Sequence, residues 1–187
     1  MKGWRTLFLL ALLGACLGAE GGWFNWFGKR RVEMLVVTGN FAKSRLLAEL
    51  CQHKTKQPVL LISPEDVGRD ELFFMPTAPD AMAFEASKYV EFVDFLNPIR
   101  IVFLGDTQYV PNSYIEQVRG RFPTVVLNSR DWLDNANALG ALIKDKSLAM
   151  RYSTYFEKLD AAAGGPAGGV EPLALPPTAE YPAALRP

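Results

Sequence analysis

The side chains able to do chemistry are few and unevenly placed. The 187 residues include one histidine, His53, and two cysteines, Cys16 and Cys51. A single histidine rules out a multi-histidine metal site. His53 stands beside Lys54 at the end of a helical pattern, where a helix dipole favours cations. No Gly-x-Ser-x-Gly elbow, Gly-x-x-x-x-Gly-Lys-Ser/Thr loop or Gly-x-Gly-x-x-Gly fingerprint occurs. The sequence therefore assigns no catalytic residue, no metal ligand and no cofactor. What remains is a polar series, each member following an apolar run: Thr38-Gly39-Asn40, Ser63 with Asp66, Gly105-Asp106-Thr107 and Asn128-Ser129-Arg130. Backbone amides where residues 38–41 turn into a helix can receive an anion, and Arg130 can pair with it. Thr38, Gly39, Asn40, Ser63, Gly105, Asp106 and Arg130 form the candidate ligand rim. Solvated loops and helix caps are the other use of the same residue types. The carboxylates Asp66, Asp70, Glu71, Asp80 and Asp106 are too scattered along the chain to be gathered into one cluster by sequence alone.

Positioning this rim falls to the apolar runs before it. Residues 32–37, 59–62, 99–104 and 124–127 are short, apolar on both faces and rich in β-branched side chains. That pattern predicts parallel strands covered on both sides. Between and after them lie stripes at helical spacing: Ala42, Leu46, Leu47, Leu50; Ala86, Tyr89, Val90, Val93; Tyr114, Val118, Phe122; Trp132, Ala136, Leu139, Gly140, Ile143; and Leu148, Tyr152, Tyr155, Phe156, Leu159. Ser113 and Glu116 have capping-box spacing. Alternation of strand and helix with right-handed crossovers predicts a three-layer α/β sandwich on a four-stranded, mainly parallel sheet, Rossmann-like or flavodoxin-like. Ligands of such sheets bind beyond the carboxyl ends of the strands, where the rim falls. The connection from Ser63 to Ala81 is long for this fold and holds Leu72-Phe73-Phe74-Met75 among charges. Phe73, Phe74 and Met75 are candidates for binding a partner, the alternative being an extra strand or helix packed there.

The start of the chain gives an address. Met1-Lys2-Gly3-Trp4-Arg5 is basic, residues 7–13 are apolar, and Leu13-Gly14-Ala15-Cys16 follows. The apolar run is far short of the roughly 20 residues that span a bilayer, and the layout is that of a removable export signal. Leucine, two small residues and cysteine match a bacterial lipobox, which makes Cys16 a lipidation site and residues 1–15 its signal peptide. Cleavage near Ala19 and an uncleaved anchor are the alternatives. Leu17, rather than an aspartate, follows the cysteine, which favours the outer membrane in a Gram-negative cell. Residues 16–31 form a linker holding Trp23, Phe24, Trp26 and Phe27 and then Lys29-Arg30-Arg31, a composition suited to a membrane interface with anionic headgroups; packing on the folded domain is the other use for these aromatics.

The remaining bounds follow from composition. Residues 32–160 read as one domain, large enough to bury most of its apolar surface. Twenty basic and twenty acidic residues balance, without the basic stripe that nucleic-acid binding needs. With Cys16 lipidated, Cys51 has no disulfide partner, and its apolar helical face predicts burial. Residues 161–187 are rich in Ala, Gly and Pro and read as a disordered tail, a spacer or a ligand for a partner.

In order, Thr38-Gly39-Asn40-Phe41, Pro58-Val59-Leu60-Leu61-Ile62, the strand ending Val102-Phe103-Leu104-Gly105, and Ser129-Arg130-Asp131-Trp132 before an alanine-rich helix make a recognisable phrase. It resembles one unit of the bacterial cell-wall-binding repeat of the second type, over residues 32–143. Asp106 stands where those units carry a second glycine, Ser129 where they carry an aspartate, and no tandem copy follows. The resemblance implies non-catalytic attachment to an anionic wall polymer, with Arg130 as the anion contact. The function expected is that of a lipid-anchored envelope protein, exported and facing the periplasm or surface, whose domain binds a cell-wall polymer or an envelope protein. Two alternatives stand beside it: a binding protein or enzyme for a small anion or sugar at the rim, and a scaffold subunit of an envelope complex.

Overall fold

A computed structural model describes residues 31–64, 70–75 and 82–162. Cys16, most of the linker, Asp66, Asp80 and residues 163–187 of the tail lie outside the described residues.

The four apolar runs are strands: β1 (Met34–Gly39), β2 (Val59–Pro64), β5 (Arg100–Leu104) and β6 (Thr124–Leu127). Helices α1 (Ala42–Thr55), α2 (Tyr89–Leu96, after a 3-10 turn at Ala86–Lys88), α3 (Asn112–Arg119), α4 (Trp132–Leu142) and α5 (Leu148–Ala162) follow the predicted stripes. Two of them stop in the same way. Lys56 and Asn97 take left-handed φ values of 57° and 45° and return their N–H groups to Gln52 and Val93. Pro58 and Pro98 then prevent further helix.

The class is α/β as expected, but the sheet has six strands and is mixed, not four-stranded. Residues Asp70–Met75 and Met82–Glu85 form β3 and β4, an antiparallel pair added beside β2, and the order is β4-β3-β2-β1-β5-β6. The predicted capping box is also absent. The N-cap of α3 is Pro111, without a side-chain cap, and Glu116 instead pairs with Arg119 at 2.9 Å. The helix begins one residue before Ser113, so the spacing was right and the register was not.

Each face of the sheet carries its own core. Met34, Val36, Val59, Leu61, Phe73, Val102 and Leu104 meet α1, α4 and α5 on one side. Leu35, Val37, Leu60, Ile62, Leu72, Ile101 and Phe103 meet α2 and α3 on the other. Alternation along every strand divides them, because successive side chains point to opposite faces. Cys51 is buried and unpaired in the first core, and burial raises its thiol to about 11, so it packs as an inert apolar group. The turn between α4 and α5 is built around Asp145. Its carboxylate accepts the Ser147 hydroxyl at 2.7 Å and amide at 3.0 Å and pairs with Arg151. The Ser147 hydroxyl first, then its amide and Arg151, outweigh desolvation and hold this carboxyl below its ordinary pKa.

Candidate functional site: the strand-end rim

Register brings the predicted rim together. Thr38 lies opposite Leu104, Gly39 opposite Ile62, and Leu104 opposite Leu127. The carboxyl ends of β1, β2, β5 and β6 therefore share one edge, with Thr38-Gly39-Asn40, Ser63, Gly105-Asp106 and Asn128-Ser129-Arg130 along it. Between the parallel strands β1 and β5 the connections part in opposite directions across the sheet: the one after β1 leads to β2 and the one after β5 leads to β6. In an open α/β sheet this is where a crevice opens.

Here the crevice is filled. Tyr109 lays its ring edge-on against Phe41 at 5.3 Å and against Trp132 at 4.8 Å. Two glycines let it in. A Cβ on Gly39 would stand 2.7 Å from the Phe41 ring and 2.8 Å from the Tyr109 carbonyl oxygen. Gly105 has φ +102°, a value that side chains resist, and a Cβ there would stand 2.6 Å from the Tyr109 Cβ. In this rim, glycine makes room for an aromatic side chain of the same molecule.

The Thr38 and Asp106 side chains are spent on the backbone. Thr38 Oγ1 donates to the Leu104 carbonyl at 2.7 Å, tying β1 to β5. Ser44, buried in the first turn of α1, donates to the Gly39 carbonyl at 2.6 Å. The Asn40 amide donates to the Ile62 carbonyl at 2.8 Å, and the residue is buried. Asp106 accepts the Gln108 amide at 2.9 Å, closing its own turn. Ser63 is half-buried opposite Glu71. Such groups satisfy what folding would otherwise leave unbonded.

The loop before α4 is organised by Asn135, a residue the sequence reading did not select. Buried, it accepts the Ser129 amide at 2.9 Å and donates to the Ser129 carbonyl at 2.8 Å. Asp131 caps the helix by accepting the Leu133 amide at 2.8 Å. Between these anchors Arg130 is exposed. An Asp immediately before a helical stripe is a readable N-cap signal; the six-residue reach from Asn135 to Ser129 has no local signature.

A second polar contact lies near the same edge. Asp70, opposite Pro64 at the start of β3, accepts a hydrogen bond from Tyr114 Oη at 2.8 Å. Tyr114 also packs edge-on against buried Tyr89, with centroids 5.0 Å apart. Burial, then the Asp70 carboxylate, pushes the Tyr114 phenol far above its ordinary pKa. Asp106 does not join Asp70, and among the described residues no three metal-ligating side chains cluster. Of the candidate partner-binding residues, Phe73 is 7% exposed and belongs to the core, Phe74 packs on Phe92 at 4.8 Å, and Met75 is half-buried.

Fold and rim together define an α/β sandwich with an aromatic-filled switch point and one exposed arginine at a helix cap. Set beside family models, curated proteins and solved structures, the chain finds no match in any of the three. Among the described residues no helix is long and apolar enough to cross a membrane.

Proposed function

We propose that the chain is an exported, lipid-anchored envelope protein whose domain binds a cell-wall polymer or an envelope protein without catalysing a reaction. The observation that carries this reading is the filled crevice. Phe41, Tyr109 and Trp132 occupy the place where a sheet of this order holds a small ligand, and the Thr38 and Asp106 side chains beside them serve the backbone. Recognition then falls to the outer surface of the rim, where Arg130 stands clear of solvent-excluding neighbours. A guanidinium there suits phosphate or carboxylate groups of an anionic polymer, as the likeness to the wall-binding repeat also implies. The second-first-third-fourth order of the four parallel strands is compatible with a flavodoxin-like ancestry. The Leu13-Gly14-Ala15-Cys16 motif supports the anchor. Strand β1 begins at the edge opposite the rim.

Intact mass and fractionation of the protein from its own cells test the anchor. A diacyl or triacyl increment at Cys16 in the membrane fraction is expected, and an unmodified soluble chain beginning after Ala19 overturns it. Arg130→Ala is expected to weaken retention on isolated cell-wall material by about tenfold. Unchanged retention removes Arg130 from the binding surface.

A further inference from the structure

A different face of the molecule carries an interaction surface. Helices α4 and α5 are joined by a tight turn and run antiparallel, with Leu148 beside Gly140 at the turn and Phe156 beside Lys43 of α1 at the far end. Their inner sides complete the first core. Between their outer sides runs an open groove of about 370 Å³, lined by Leu133, Asn137, Ala149, Met150, Ser153 and Thr154, with no charged side chain. Leu133 is 43% exposed and Met150 68%. Only four large hydrophobic residues are exposed among the described residues, and two of them share this groove. The exposed side of α4 continues with Ala138 and Ala141, small enough for another helix to approach closely.

Charges bound the patch at its two ends, and they differ in sign. Exposed Asp131, Asp134 and Glu157 stand at the end nearest the strand rim, where α4 begins and α5 approaches its close, and outnumber the basic Arg130 and Lys158 there. Exposed Lys144 and Lys146 stand at the turn. Lys158 is drawn aside over the Tyr155 ring at 5.3 Å, and Arg151 is held by Asp145. A patch that is neutral in the middle, acidic at one end and basic at the other is complementary to itself when one copy is reversed.

We propose that this face docks on the same face of a second copy of the chain, about a two-fold axis lying in the interface and crossing the helices. That operator sets α4 on the partner's α4 and α5 on the partner's α5, each pair antiparallel. Asp134 then meets Lys144 and Glu157 meets Lys146 across the interface, twice over. Leu133 faces the small Ala141, and Met150 lies over Ser153 and Thr154. The other possible axis, parallel to the helices, brings acid onto acid and base onto base, and the charges exclude it. Apolar contact supplies the attraction and the rim charges select the register.

Sedimentation of the full chain across a wide concentration range tests the proposal. A reversible dimer is expected, and Met150→Glu shifts it to monomer, while at a dilution where the wild type is itself monomeric the two melts coincide, since the side chain is exposed in the single copy. Two charge-reversed variants, Asp134→Lys with Glu157→Lys and Lys144→Glu with Lys146→Glu, each dimerise about tenfold more weakly alone. Their equimolar mixture recovers the dimer, because each reversed end then meets an opposite charge. A chain monomeric at every concentration overturns the proposal, and so does a dimer indifferent to Met150→Glu. A dimer lost in both reversals but not recovered on mixing overturns the antiparallel two-fold.

Discussion

The two halves of the sheet are held by different means. In the parallel half, β1 is buried along its whole length and β5 at all but its first residue, with a helix layer on each face. In the antiparallel half, β4 is exposed at Met82, Ala83 and Glu85, and only Phe84 turns inward, onto Phe92 at 4.8 Å. The parallel half is a dry core whose strands cannot move without opening it. The hairpin is an extension of that core, fastened by the ladder to β2, by Leu72 and Phe73 in the two cores, by the Phe74–Phe92–Phe84 cluster, and by two hydrogen bonds, Tyr114 to Asp70 and Gln52 to the Met75 carbonyl at 2.7 Å. Strands at the centre of a sheet are fixed by burial on both faces, whereas an edge pair depends on a few contacts.

The sharpest way to break this contrast is to remove one phenylalanine from each half. Phe103 is fully buried in β5, and Phe103→Ala is expected to cost about 3–5 kcal/mol in chemical unfolding. Half-buried Phe84 in β4 should cost about 1–2 kcal/mol when made alanine. Equal losses would mean that the hairpin is as integral to the core as the parallel strands.

Next in size is Gly105→Ala. The left-handed φ of +102° and the close approach of Tyr109 act together there, so a loss of about 2–4 kcal/mol is expected. Gly120→Ala serves as the control. Nothing lies within 4 Å of a Cβ at Gly120 and its φ is −75°, so stability should move by about 0.5 kcal/mol or less. A tolerant Gly105 would mean that Tyr109 is free to leave the switch point, and would reopen the case for a ligand there.

The same division governs what the sequence reveals. The parallel strands announce themselves because burial on both faces demands runs such as Leu35-Val36-Val37 and Ile101-Val102-Phe103, and β1, β2 and β5 are each closed by Gly or Pro. The hairpin does not. Leu72-Phe73-Phe74-Met75 has no β-branched residue, and Met82-Ala83-Phe84-Glu85 follows no period, so its strand character comes from neighbours supplied by the fold. The rim was legible as a set of positions, since register alone aligns strand ends. Its use was not legible. Whether Thr38 or Asp106 faces a ligand or a carbonyl depends on where Tyr109 comes to rest, and that is decided by Phe41 and Trp132, which lie 68 and 23 residues away from it in the chain.

The smallest change tests the link between the halves. Tyr114 belongs to α3, which covers the parallel strands, and Asp70 belongs to β3. Their hydrogen bond, made in a partly buried setting, is one of two polar ties from the helices to β3, the other being Gln52 Nε2 donating to the Met75 carbonyl at 2.7 Å. Tyr114→Phe should lower stability by about 1 kcal/mol, leaving the Tyr89 packing in place. It should also speed amide exchange in β3 while sparing β1 and β5, because the tie holds the hairpin and not the core. The alkaline limb gives a second reading. A phenol whose pKa is raised by folding stabilises the native state below its unfolded value of 10.0 and loses that contribution as the pH climbs above it, since only the unfolded chain then releases the proton. The wild-type protein should therefore weaken above pH 10, and Tyr114→Phe should weaken with a shallower slope. A variant whose alkaline slope equals the wild type's would place the Tyr114 proton in contact with solvent, and the tie between the two halves would then rest on the aromatic cluster and the β2–β3 ladder.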